Sequence, residues 1–263
     1  MKKLIYGTLF LTLVGIGIFG CKKAESKMQQ NTKLSKSPNV KSTTYIDENN
    51  VGNYHNEAVL FIFNDLSTLP DSVIAINLKS AKYISGKLNE FCTIRNIQLP
   101  QHDTLNNWFL NYEKSTVSDI TSNIVFSSNQ KTALNSCFSS LSIIDSDFSK
   151  ANQLISLFEN NLTVVQNEPL SKGRTISIAI INQLISSTKL WIIDGKINFL
   201  NQHDYYAKAK RPTNGEVLGA DGKGLAISLI YGGWSSPAGW CGSMFIGAGA
   251  SIGAVIDSNW WPF

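Results

Sequence analysis

Chemistry in this chain has few side chains to draw on, and its four cysteines and three histidines come first. Cys21 follows Gly20 at the end of an uncharged run, Leu4 to Ile18, that Lys2 and Lys3 precede. A cysteine thiolate is a soft nucleophile that readily forms a thioether. His102 and His203 sit in repeated triplets, Gln101-His102-Asp103 and Gln202-His203-Asp204, and His55 stands apart. Each triplet sets an imidazole beside a carboxylate, the donor types of a metal-dependent hydrolase. Zinc needs three or four ligands at fixed geometry, however, and no pair here has the i, i+4 or short Cys/His spacing that preassembles such a site. Helix caps and turns account for both aspartates, so no metal and no cofactor is expected.

Trp240-Cys241-Gly242-Ser243-Met244-Phe245 resembles the Cys-Gly-Ser-Cys-Trp segment of papain-like proteases. Met244 occupies the position of that family's nucleophile, and no histidine follows His203, which removes the general base. No Gly-x-Ser-x-Gly elbow, phosphate loop or dinucleotide fingerprint is present. Asp221-Gly222-Lys223-Gly224 has the glycines of a phosphate cradle without its length, and Asp145 and Asp147 read as turn and cap residues rather than general acid and base. No catalytic residue is therefore expected, and a hydrolase is the remotest of three readings.

The start of the chain carries the positive, apolar and small-residue regions of an export signal in order. The fifteen residues from Leu4 to Ile18 are too few for a bilayer core, which takes about 20. Ile18-Phe19-Gly20-Cys21 resembles the lipobox of bacterial lipoproteins, with Phe19 bulkier than is usual at its position. The resemblance implies cleavage before Cys21, a diacylglyceryl thioether on its sulfur and acylation of the new amino group. Each buried CH₂ then contributes about 0.8 kcal/mol, so two or three chains hold a soluble domain at a membrane. A cell-envelope location follows, facing periplasm or cell surface. Lys22, rather than Asp, after the cysteine favours the outer membrane. Lys22-Lys23-Ala24-Glu25 partly matches the export tag of surface lipoproteins in Bacteroidota.

Charge is segregated along the chain. Residues 22–41 hold six lysines against Glu25, whereas from Val51 onward 15 Lys and Arg face 16 Asp and Glu, a net of −1. A body so close to neutral lacks the concentrated basic face that nucleic acid needs. The expected organisation is a signal peptide at 1–20, a disordered lipidated tether at 21–50, a helical domain at 51–212 and a glycine-rich apolar hairpin at 213–263. Extended, the tether reaches roughly 90–100 Å. Lipidation leaves Cys92, Cys137 and Cys241; Cys92 and Cys137 fall on apolar faces and are expected buried and free, with a Cys92–Cys137 disulfide the alternative.

The elements that must position these groups read as helices. Ala58, Ile62 and Leu66 mark one apolar stripe, with Val59 and Phe63 beside it; Ala81, Ile84, Leu88 and Phe91 mark the next, after a cap at Asp71 or Ser72. Asp103 is expected to cap a helix carrying Leu105, Trp108, Phe109 and Tyr112. Val117, Ile120 and Ile124 continue at helical spacing, and Leu134, Cys137, Phe138, Leu141 and Ile144 follow. Asp147 is expected to cap a helix through Phe148, Ile155, Phe158 and Val165. Ser171 begins the most apolar helix, with Ile176, Ile180, Ile181, Leu184 and Trp191, and the helix ends near Asp194-Gly195 in preference to a hairpin there. The fold class is all-α, an up-and-down bundle.

Between Lys223 and Asp257 lie 33 residues without Asp, Glu, Lys, Arg or His. Pro237 divides them into two apolar arms, Gly224–Gly233 and Trp240–Ile256. Ser243, Gly247 and Ser251 recur every four residues, as do Gly249 and Gly253, and Ala250 and Ala254, a spacing that lets helix backbones approach closely. The pattern resembles glycine-zipper hairpins of pore-forming peptides and small bacteriocins. Docking on the bundle is the expected fate, because an arm of at most 17 residues is short of a span. The leading expectation is a lipid-anchored, non-enzymatic envelope protein with a binding or structural role. Its first alternative is a membrane-active effector that inserts this hairpin.

Overall fold

The computed structural model of the chain describes residues 45–70, 73, 81–195 and 213–256, and every regular element among them is helical. The leader, Cys21, Asp71, Ser72, His203, Asp204, Trp260 and Trp261 lie outside the described residues. The folded body extends back to Tyr45, short of the boundary expected at residue 50. Ile46 is fully buried, and Asp47 accepts N–H bonds from Asn49 and Asn50 to turn the chain into the first helix.

In order, the helices are α1 (Val51–Leu66), α2 (Ala81–Ile94), α3 (His102–Lys114), α4 (Val117–Thr121), α5 (Ser128–Ser140), α6 (Ile143–Ser146), α7 (Ala151–Gln166), α8 (Lys172–Thr188), α9 (Asn214–Ile230) and α10 (Pro237–Ile256). The stripes read from periodicity are the buried ones: Ala58, Val59, Ile62 and Leu66 on α1, Ile84 and Leu88 on α2, and Ile176, Ile180, Ile181 and Leu184 on α8. Trp191 is also fully buried, on a single π turn, Lys189–Ile193, that continues α8. Gly195, at φ +65°, then leaves the helix in the left-handed conformation that glycine adopts without cost.

Three boundaries differ from the sequence reading. Gln101, not Asp103, is the N-cap of α3; Asp103 sits inside the first turn, where its charge still complements the helix dipole. Ile124 is 96% exposed and extends no stripe, because Thr116 and Asp119 form a capping box that starts α4 afresh, and Asn123 turns the chain by accepting the Val125 N–H. Asp147 caps as expected, but what it caps is a 3₁₀ turn, Phe148–Lys150, which leaves Phe148 exposed and starts α7 only at Ala151.

The glycine-rich segment forms two helices longer than the expected arms. Thr213 and Glu216 build a capping box that starts α9 ten residues before Gly224, so Asp221-Gly222-Lys223-Gly224 is helix interior and not loop. Pro237 occupies the first position of α10, where its missing N–H costs nothing. Glycine and serine lower helix propensity, so packing must hold these helices. They pack along each other, α9 also lies against α8 and α3, and α10 against α1. At the tip, Lys172 Nζ donates to the Ile230 carbonyl at 3.1 Å, placing a cation at the C-terminal end of α9, and lies 5.4 Å from the Trp234 ring centroid. Among the described residues one stretch, Lys172–Ile193, is long and apolar enough to cross a membrane; 72% of it is buried as the core helix α8.

The zipper glycines are not equivalent. A Cβ on Gly239 would run into the backbone of Gly233 across the hairpin turn, whereas a Cβ on Gly247 would meet nothing closer than 3.5 Å. Gly239→Ala is expected to cost about 2 kcal/mol through overpacking. Gly247→Ala is expected to be neutral or to stabilise by up to about 1 kcal/mol through helix propensity. Urea denaturation of the two variants against the parent checks the contrast.

Candidate functional site

Cys21 and His203 are outside the described residues, and His102 is the first residue of α3. Among the described residues no group of three or more His, Cys, Asp and Glu is placed to hold a metal ion. Cys92, Cys137 and Cys241 are free and buried on three different helices, so the Cys92–Cys137 disulfide is not formed. Burial pushes the Cys92 and Cys137 thiols up to about 12 and that of Cys241 up to about 11, which leaves almost no thiolate near neutral pH. Asp145 and Asp147 are cap residues: Asp145 Oδ1 accepts the Gly215 N–H at 2.7 Å, and Asp147 Oδ1 accepts that of Ser149 at 2.9 Å.

Sequence reasoning missed the polar centre of the bundle. Asp221 of α9, fully buried, accepts from His55 Nε2 of α1 at 2.9 Å and from Trp191 Nε1 at 3.0 Å. The second histidine nitrogen, Nδ1, faces Asn56 Oδ1 at 3.1 Å, and the Asn56 amide donates to the Ser186 carbonyl at 2.8 Å, which fixes the side chain's orientation. Both ring nitrogens thus face side-chain oxygens. A buried carboxylate with this many donors is a structural clamp joining α1, α9 and the end of α8. No nucleophile is hydrogen-bonded to His55, and water does not reach it. The signal was present in the sequence: His55 falls four residues after Val51 and four before Val59, on the buried stripe of α1.

An accessible groove of about 730 Å³ runs along α9, walled by α3, α4, α5 and α6 and by Gly253 and Ala254 of α10. Val117, Phe138, Leu141 and Ala220 give it a mostly carbon lining, and Ser118, Thr121, Asn135, Ser139 and Ser142 add hydroxyls and an amide. Its charged groups are spaced along one face of α9. Glu216 stands at one end and Lys223, seven residues on, lies about 10 Å away at 1.5 Å per residue. Lys223 is half-buried with Nζ 4.2 Å from the Tyr112 ring centroid. Burial lowers its pKa, and the carboxylates of Asp119 and Glu113 oppose that fall.

The acids around the groove are already engaged. Asp145 accepts from Gly215, the Glu216 carboxylate accepts the Thr213 N–H at 2.7 Å, and Asp119 accepts the Thr116 N–H at 2.6 Å, a bond that holds its carboxyl below the usual range. Among the described residues no carboxylate lies within ion-pair distance of Lys223. A concave, largely apolar surface with a few convergent polar groups suits a small ligand. No histidine lines this groove among the described residues.

Removing the central carboxylate strands two buried donors. Asp221→Ala is expected to destabilise the chain by about 3 kcal/mol. His55→Ala made in the same background should cost clearly less than it does alone, because the pair acts as a unit. A double-mutant cycle by chemical denaturation measures both.

Compared with family models, curated proteins and solved structures, the chain matches none.

Proposed function

We propose that the chain is a lipid-anchored, non-catalytic binding protein of the cell envelope. The attachment rests on the order Lys2-Lys3, uncharged run, Ile18-Phe19-Gly20-Cys21, which is the order of a lipoprotein leader. The single observation that supports binding is the groove along α9, open to solvent and carrying a half-buried ammonium with no carboxylate within ion-pair distance among the described residues. Mass spectrometry of the envelope fraction is expected to find a mature N-terminus at Cys21 carrying acyl chains. Cys21→Ser should abolish processing and release the protein from envelopes; normal cleavage of that variant, or its continued sedimentation with membranes, contradicts the anchor.

A second reading, insertion of the glycine-rich hairpin into a target bilayer, gains one observation. Helix α10 runs for 20 residues without a charge, longer than the 17 expected, and at 1.5 Å per residue it measures about 30 Å, the thickness of a hydrocarbon core. Against it stands the burial of Trp240, Met244, Phe245, Ala248 and Ile252 within the bundle, contacts that insertion would have to exchange for lipid. The binding reading predicts that the full chain releases no dye from phosphatidylcholine/phosphatidylglycerol liposomes. Release that disappears when residues 217–263 are deleted supports insertion instead.

A further inference from the structure

We propose that the groove along α9 takes a free, single-chain amphiphile with one carboxylate, its headgroup on Lys223 and its chain along Val117, Phe138, Leu141 and Ala220. The inference rests on the reading of this groove as a binding site and adds the class of ligand.

Charge decides the headgroup. The Lys223 ammonium is half out of water, and the face of Tyr112 at 4.2 Å offsets only part of what it loses there. The carboxylates nearby are held elsewhere: Asp145 on Gly215, Glu216 on Thr213, and Asp119 on both the backbone and the hydroxyl of Thr116. An anion brought by a ligand is what completes the site. Asp119 and Glu113 both act on the lysine's charge, and the same two carboxylates repel a doubly charged phosphate more strongly than a single negative charge. A monoanion is therefore favoured over a phosphomonoester.

Shape and lining decide the rest. From Lys223 the groove follows α9 for about 10 Å to Glu216, past Ala220 and Gly219, where the absence of large side chains on α9 leaves the width of the channel to Phe138 and Leu141. That length and a volume of about 730 Å³ hold an octanoyl-sized chain rather than a two-chain phospholipid. The carboxylates of Asp145 and Glu216 line the groove at the start of α9, so a second anionic group there is disfavoured.

The test is calorimetric titration of octanoate into the full chain carried in phosphatidylcholine nanodiscs, with empty discs as the blank and octanol as the uncharged analogue. Octanoate should bind one to one and at least about tenfold more tightly than octanol. Lys223→Met should weaken octanoate by about tenfold and leave octanol unchanged, while Lys223→Arg should retain binding within about threefold. Circular dichroism and the octanol arm together separate loss of the headgroup contact from loss of the fold. Equal binding of octanoate and octanol would overturn the carboxylate class while leaving a binding groove in place; no binding of either would overturn both. Suppression of octanoate binding in phosphatidylglycerol discs would make the occupant a lipid headgroup and overturn the free amphiphile.

Discussion

A buried carboxylate is what the rest of this bundle has to accommodate. Asp221 lies in the middle of α9, fully out of water, and taking an isolated carboxylate there costs several kcal/mol unless donors surround it. His55 and Trp191 supply them from α1 and from the π turn that ends α8. The π turn belongs to the same solution, since it carries Trp191 at the end of the core helix, where the indole also meets the Phe63 ring edge-on at 5.6 Å. Apolar packing alone would let α1, α8 and α9 slide past one another. A buried, directional hydrogen-bonded contact holds them in one register.

The second constraint is the weakness of glycine-rich helices. Helices α9 and α10 have little propensity of their own, so their order depends on what they pack against. They are the inner layer of the body, with Leu225 and Leu229 of α9 and Met244, Ala248 and Ile252 of α10 buried, and not an appendage to it. Gly247 brings α10 close to the His55–Asp221 pair: a Cβ added there would stand 3.6 Å from the imidazole Cδ2. The small residues thus serve close approach to a polar centre as well as to a neighbouring backbone. The missing side chain at Gly219 leaves room for the groove on the other face of α9, while that at Gly215 lets the Leu141 backbone approach.

Much of this was legible in the sequence. Stripes such as Ile176, Ile180, Ile181 and Leu184 pointed to both the helical class and the buried faces, because a 3.6-residue period that persists over more than two turns fits a helix and not a strand. Caps were legible where a side chain pairs locally, as at Ser171, whose hydroxyl accepts the Arg174 N–H. What was not legible was long-range. Nothing near Asp221 in sequence announces a partner 166 residues earlier, and the glycines on either side of Lys223 gave no sign that tertiary packing holds a helix there. The groove could not be foreseen for the same reason: its walls come from α3 to α6 and from α10, its floor from α9, and no local pattern joins them.

The central claim is that the glycine-rich hairpin is the core of the folded body and not a segment in waiting for a bilayer. Amide hydrogen exchange of Trp240–Ile252, followed with and without liposomes, addresses it most directly. These amides should exchange only through global unfolding, as slowly as those of α8, and lipid should not change their rates. Exchange within seconds in solution, with protection that appears only when liposomes are added, would contradict the account.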